Sequence, residues 1–186
     1  MNSKPDFTPA NHPSKDKSQN IIIASLILFA VISRVVPHPP NFAPVAAIAL
    51  FGGALFTHRW LSFLVPMIIM LISDAIIGFH SGMPAIYALF LITVLMGHRL
   101  RDNIGSGRIV GASLLSSLVF FLGSNLAVWY GSAFYPQNFS GLMLCYTMAL
   151  PFLHYTVLGD LFYSGLLFGS WYGIRSYQGF RASTLS

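Results

Sequence analysis

Apolar residues occur along the chain in long runs that are separated by short polar or proline-rich stretches. The first run begins at Ile21, and the apolar segments are 21–36, 44–57, 60–79, 84–99, 109–131 and 141–174. A helix needs about 20 apolar residues to cross a bilayer, with a range of roughly 17–25. The first, third, fourth and fifth segments have or approach this length. The pattern therefore predicts membrane-spanning helices rather than the core of a soluble domain.

Two segments depart from that length. The second is short and follows the proline-dense stretch PHPPNFAP, which favours a half-buried or tilted helix. The last is too long for one crossing, and we expect Pro151 to divide it into a surface-lying piece (141–149) and a span (150–175). The predicted fold is an all-α integral membrane protein, a bundle of six transmembrane helices.

The polar ends of the chain offer nothing to bury. Residues 1–20 predict a disordered cytoplasmic tail, residues 21–176 the membrane domain, and residues 177–186 a second cytoplasmic tail. The long polar start and the absence of an A-x-A site after the first apolar run are not typical of a secretory signal. We therefore expect the first helix to be retained.

Composition and charge support this reading. Hydrophobic residues make up 55% of the chain and charged residues only 8%, against about 25% charged in soluble domains. Six crossings place nine of the ten basic residues on the side of both termini: Lys4, Lys15, Lys17, Arg59, Arg99, Arg101, Arg108, Arg175 and Arg181. This bias predicts cytoplasmic termini in a bacterial cytoplasmic (inner) membrane. It also explains the basic pI without a nucleic-acid partner.

Several enzyme classes are excluded by residues that are missing. The chain contains no glutamate, so it has no H-E-x-x-H metalloprotease motif. It has no G-x-S-x-G elbow and no histidine pair at metal-ligand spacing, and Cys145, its single cysteine, cannot form an internal disulfide. We expect a protein that is not an enzyme and has no cofactor. A membrane hydrolase using His154, Asp160 and a serine remains an alternative, as does a ligand-free scaffold subunit.

Ionisable side chains inside spans mark the candidate site, because each costs about 2.5–3.5 kcal/mol at a helix centre. Most such groups lie in the predicted outer third of the bundle, near polar loop residues. They predict an outward-facing, substrate-binding cavity formed by Arg34, His38, Asn41, Asp74, His80, Asn125, Trp129 and His154.

Each of these residues also has a structural interpretation. Asn125 lies four residues from both Phe121 and Trp129, which suits either a ring-bearing ligand or a hydrogen bond between helices. Arg34 and Asp74 have similar depth, so they either pair with each other or contact a ligand. Asp160, deeper in the last helix, is expected to satisfy neighbours inside the bundle.

Small residues at four-residue spacing predict close helix contacts. They occur twice, as Ala49 and Gly53 in the second segment and as Gly165, Gly169 and Gly173 in the last. The expected role is packing within the bundle, and the alternative for the last helix is a docking face for a partner membrane protein.

Four stretches resemble an uncharacterised family of small bacterial membrane proteins. They are PHPPNFAPVAAIALFGGALF, SDAIIGFHSGMPAIYA, FFLGSNLAVWYGSAFYP and ALPFLHYTVLGDLFYSGLLFG, and they span the chain from about Arg34 to Gly173. More distantly, the six short helices and the outward site resemble the substrate-binding S components of energy-coupling factor (ECF) transporters, closest to the solitary cobalamin type. The shared features are Ser124-Asn125, Tyr135-Pro136 and Pro151.

That resemblance implies a function in transport. It implies binding of a vitamin-like micronutrient, a corrinoid being one candidate, either alone or with an energising membrane subunit and its ATPases. In the cobalamin group a loop cysteine ligates the corrin cobalt. Here His80 lies in that neighbourhood, and an imidazole is a competent cobalt ligand.

Overall fold

Six α-helices make up the fold. The computed structural model describes residues 13–131 and 133–184, and within them it contains no β-strand. The helices are α1 (Pro13–Val35), α2 (Val45–Leu55), α3 (Arg59–Ile77), α4 (Met83–Leu100), α5 (Ser106–Gly131) and α6 (Phe139–Thr184). Each predicted apolar segment corresponds to one helix, so the all-helical class and the six helices are confirmed.

Four helices, α3 to α6, are long and apolar enough to cross a membrane, whereas the apolar part of α1 (Ile21–Val35) and α2 are shorter. Large apolar side chains are exposed along these helices, including Leu71 and Ile76 on α3 and Leu118 and Leu126 on α5. Soluble monomers rarely expose so much contiguous apolar surface, and a lipid bilayer would cover it. These features support a membrane protein.

The short helix α2 forms the centre of the bundle. Its residues are almost all buried, and it contacts α3, α4, α5 and α6. Alanine and glycine dominate its sequence, VAAIALFGGAL, so neighbouring helices can approach its backbone. A helix that is apolar on all sides is expected to be buried all round. The proline-dense stretch before it fixes where it begins, since Pro44 is its N-cap residue.

The closest helix contact lies between Gly53 of α2 and Gly97 of α4. A Cβ added at Gly53 would lie 2.9 Å from the Gly97 Cα and closer still to the Val94 carbonyl oxygen. A Cβ added at Gly97 would meet the Leu50 carbonyl in the same way. Small residues therefore allow the two backbones to touch, as predicted for Gly53; Ala49, one turn earlier, is fully buried.

The predicted division of the last segment at Pro151 is wrong, because α6 runs unbroken from Phe139 to Thr184 with Pro151 inside it. Proline removes one backbone N–H, and membrane helices tolerate that loss where neighbours satisfy the freed carbonyl. Pro66 lies inside α3 in the same way.

The predicted tails also differ from the structure. Residues 1–12 and 185–186 lie outside the described residues, but residues 13–20 form the first turns of α1 and 177–184 the last turns of α6. The polar composition of these flanks predicts that they are exposed to solvent, but it does not exclude a helical backbone. Once an apolar helix has formed, it extends into polar flanks at little cost, because nucleation is the unfavourable step.

Candidate functional site

A cavity of about 260 Å³ lies beside the N-terminal end of α2. All six helices, together with the loops that follow α1 and α3, contribute to its walls. Its polar lining residues are Arg34, His38, Asn41, His80, Thr156 and Asp160, and its apolar ones are Ala43, Val45, Ala46, Met70, Ile77, Ile86, Phe90 and Phe120. The cavity therefore combines charged groups with an apolar wall inside a bundle in which four described helices are long and apolar enough to cross a membrane.

The two ends of α2 differ in the hydrogen bonds that their backbone groups form. At the C-terminal end, Arg101 donates from Nε to the Gly53 carbonyl (3.1 Å) and from Nη2 to the Phe56 carbonyl (2.5 Å). At the N-terminal end none of the described side chains caps the helix. Its own hydrogen bonding starts with the Ile48 N–H, which donates to the Pro44 carbonyl. The N–H groups of the first turn have no carbonyl within the helix. Val45 and Ala46 of that turn line the cavity.

The loop between α1 and α2 closes one side of the cavity by packing on α6. The Phe42 ring lies 5.5 Å from the Tyr163 ring and 5.9 Å from the Phe162 ring. Gly159 permits this approach, since a Cβ there would lie 3.1 Å from the Phe42 Cα. Asn41 has a φ of 62°, a left-handed conformation that asparagine adopts more readily than most residues.

Arg34 and Asp74 form a partly buried ion pair at the cavity wall. Arg34 Nη2 donates to Asp74 Oδ1 (2.6 Å), and the Tyr87 hydroxyl donates to Asp74 Oδ2 (2.9 Å), so both carboxylate oxygens are bonded. Arg34 Nη1 contacts the Met70 sulfur at 2.8 Å, and its buried Nε has no hydrogen-bond partner among the residues that the structure describes. Of the two predicted roles for Asp74, the pairing is the one observed, and Asp74 does not line the cavity.

Asp160 of α6 also lines the cavity. It is 3% exposed, and its Oδ2 accepts a hydrogen bond from Ser117 of α5 (2.7 Å). Below it, Ser113 donates to Ser164 (2.9 Å), so serines line the α5–α6 contact. The prediction that Asp160 satisfies a neighbour in the bundle is confirmed, but the residue also faces the cavity.

Apart from Asp74, the predicted binding residues divide into two groups. Arg34, His38, Asn41 and His80 line the cavity, and the last three are exposed on its loops.

Asn125, Trp129 and His154 lie elsewhere. The Asn125 amide donates to the carbonyl of Phe121 in its own helix, the Trp129 indole donates to the Pro136 carbonyl, and the His154 ring is exposed and lies 3.9 Å from the Tyr155 ring. The prediction placed these three residues near the site from their position along the helix. In the structure their side chains point to other partners and do not line the cavity.

The glycine stripe of α6 has no packing partner in the described part of the chain. A Cβ added at Gly165, Gly169 or Gly173 would have no atom within 4 Å. The first two line a second cavity of about 220 Å³ between α5 and α6. These three glycines therefore lie beside open space in the described structure, and their role in packing stays a prediction.

The buried serines of α5 are not among the predicted site residues, although their spacing is visible in the sequence. Ser113, Ser116 and Ser117 have the i, i+3, i+4 spacing of one helix face, and all three are buried. Ser116 bonds to Thr93 of α4 at 3.1 Å, so the stripe links α5 to two neighbours. Polar residues on one face of a membrane helix mark the side turned to protein.

Among the described residues, no group of three or more His, Cys, Asp or Glu side chains is placed to hold a metal ion. His80, the predicted cobalt ligand for a corrinoid, lines the cavity from an exposed loop.

A family model matches residues 14–181, nearly the whole chain; its description is a family of unknown function, DUF6580. The chain belongs to this family. The predicted membership of an uncharacterised family is thus confirmed. No curated protein and no solved structure matches the chain.

Proposed function

We propose that this protein binds a small polar solute in the cavity beside α2 and transports it across the membrane. The observation that carries the proposal is the uncapped end of a buried helix, which faces a cavity lined by Arg34 and Asp160. Buried polar groups without protein partners are expected to bond to water or a ligand. Transporters bind their substrates at such interrupted or terminal helix backbone near the middle of the membrane.

The size of the cavity favours a small solute. Its volume of about 260 Å³ is below the roughly 300–1,000 Å³ typical of pockets for drug-sized ligands. A corrinoid is larger than such ligands, so we favour a smaller micronutrient over the corrinoid. The proposal therefore does not include His80 as a cobalt ligand. The likeness to ECF S components remains part of this proposal. We also propose an outward-facing cavity and cytoplasmic termini in a bacterial inner membrane. The protein transports its solute alone or, as the alternative, with an energising partner subunit.

The hydrolase alternative receives no support from the arrangement of its residues. His154 is exposed and outside the cavity lining, whereas Asp160 is buried and bonded to Ser117. We therefore do not propose a catalytic triad built on these residues.

The test is a thermal-shift screen of the detergent-purified protein against small water-soluble vitamins, amines, amino acids and organic acids. A ligand that binds only the folded state stabilises it by about 2.7 kcal/mol at one hundred times its dissociation constant. Ala43→Trp, which fills the cavity from its loop, should abolish the shift. The matched control Ala133→Trp, on the exposed α5–α6 loop, should retain it.

Two results would contradict the proposal. One is a screen in which no compound raises the melting temperature. The other is a shift that survives in Ala43→Trp, since the ligand would then bind outside this cavity. Uptake of the identified compound into proteoliposomes separates transport from binding alone.

A further inference from the structure

The carboxyl group of Asp160 is buried and has no positive partner among the described residues. In the described residues the only ion pair is that of Arg34 with Asp74, and Asp160 has a single hydrogen bond, from Ser117 to Oδ2. None of the described residues forms a hydrogen bond to its other oxygen, Oδ1. Because Asp160 lines the cavity, a ligand there can reach it.

When Asp160 is ionised, the charges of the cavity do not balance without a ligand. The guanidinium of Arg34 is neutralised by Asp74, whose two oxygens are already bonded. The remaining titratable lining residues, His38 and His80, are exposed on loops, where solvent and salt screen any charge they carry. The N-terminal end of α2 contributes only a partial positive charge. An ionised Asp160 therefore leaves the cavity with an excess of negative charge.

We infer that the solute is a small organic cation whose ammonium group pairs with the carboxylate of Asp160. This inference rests on the proposed function and names its substrate class. The apolar wall suits the rest of such a molecule, since Phe90 and Phe120, whose rings lie 5.4 Å apart, line the same cavity. Aromatic faces also attract ammonium groups. The volume of the cavity limits the ligand to a short aliphatic or small cyclic amine. An ammonium group has no acceptor, so water beside the bound amine accepts from the uncapped N–H groups of α2.

The Ser117 hydroxyl can hydrogen-bond to Asp160 in either protonation state, so the site needs no bound cation. Its hydroxyl lies 2.7 Å from Asp160 Oδ2 and 3.0 Å from the Ser113 carbonyl oxygen. A hydroxyl has one proton, so it can donate to an ionised Asp160, or accept from a protonated Asp160 and donate to Ser113. The empty site can thus hold a neutral carboxylic acid. When the ammonium binds, that proton leaves to solvent through the cavity, and the charge of the site stays constant.

The experiment compares three probes of equal length by thermal shift and calorimetry on the full chain: n-butylammonium, n-butanol and butyrate. Only n-butylammonium should stabilise the wild-type protein. Asp160→Asn should weaken its binding about 10- to 100-fold, the range for a hydrogen bond to a charged group. The control Asp102→Asn removes the same charge from an exposed position and should leave binding unchanged. Binding enthalpies in buffers of different ionisation enthalpy should report proton release in the wild type but not in Asp160→Asn.

The inference and the proposed function fail in different ways. If n-butanol or butyrate binds as well as n-butylammonium, the cationic substrate class is overturned while the cavity remains a binding site. The same holds if a neutral compound from the wider screen binds and is blocked by Ala43→Trp. If no compound binds, the proposed function fails as well. The selectivity of the wild-type protein tests the inference even if Asp160→Asn does not fold.

Discussion

Arg34 of α1 and Asp74 of α3 form an ion pair of 2.6 Å that joins these two helices beside the cavity. The Asp74 side chain is 2% exposed and that of Arg34 is 18% exposed. Tyr87 completes the coordination of the carboxylate from α4. Three helices therefore converge on one charged group, and this convergence fixes the position of Arg34 at the cavity wall.

Loss of one partner should cost more than the pair itself contributes. We expect Asp74→Ala to lower the free energy of unfolding by about 3–5 kcal/mol, because it leaves the Arg34 charge buried without compensation. Thermal unfolding in detergent measures the loss. The double variant Arg34→Met with Asp74→Leu should recover much of it. A single variant that melts at the wild-type temperature would show that Arg34 finds other compensation.

The Tyr87 hydroxyl should contribute more to the free energy of unfolding than a tyrosine hydroxyl that bonds to a neutral carbonyl. Tyr87→Phe removes a hydrogen bond to a carboxylate and should destabilise the protein by about 1.5–3 kcal/mol. Tyr146→Phe is the matched control, because that hydroxyl donates to the neutral Leu122 carbonyl at 2.7 Å, a bond worth about 0.5–1.5 kcal/mol. Equal melting temperatures for the two variants would contradict a special role for the Asp74 contact.

Alanine should have opposite effects at two glycines. Gly97→Ala places a methyl group against the backbone of α2 and should destabilise the protein by about 1–3 kcal/mol, the usual cost of overpacking. Gly165→Ala meets no atom within 4 Å and should be neutral or stabilise by up to about 1 kcal/mol through helix propensity. Melting curves of the two variants decide this. A destabilised Gly165→Ala would indicate that a second chain packs on the α6 stripe.

Arg101 should stabilise the protein by capping the buried end of α2. Arg101→Met leaves the Gly53 and Phe56 carbonyls without their donor, at about 1–3 kcal/mol for each buried acceptor left unbonded. Arg99→Met removes the same charge from an exposed position two residues earlier, so it is the control for net charge. If both variants melt alike, water satisfies the carbonyls in place of the guanidinium.

Part of the candidate site was predictable from the chain. Arg34, His38, Asn41 and His80 were identified as polar residues at one end of the predicted spans, and they do line the cavity. Asn125 was placed by depth alone, and the structure turns its amide to its own helix. Asp160 was assigned a structural role, but it also faces the cavity.

The sequence by itself determined the six helices and their apolar character, because hydropathy and proline placement act over a few neighbouring residues. The extent of α6 through Pro151 was decided by the folded chain. So were the central position of α2 and the cavity at its uncapped end. These features depend on how each helix is rotated and which neighbour it meets. In a membrane, where every apolar face is equally compatible with lipid, only helix-to-helix packing selects that rotation.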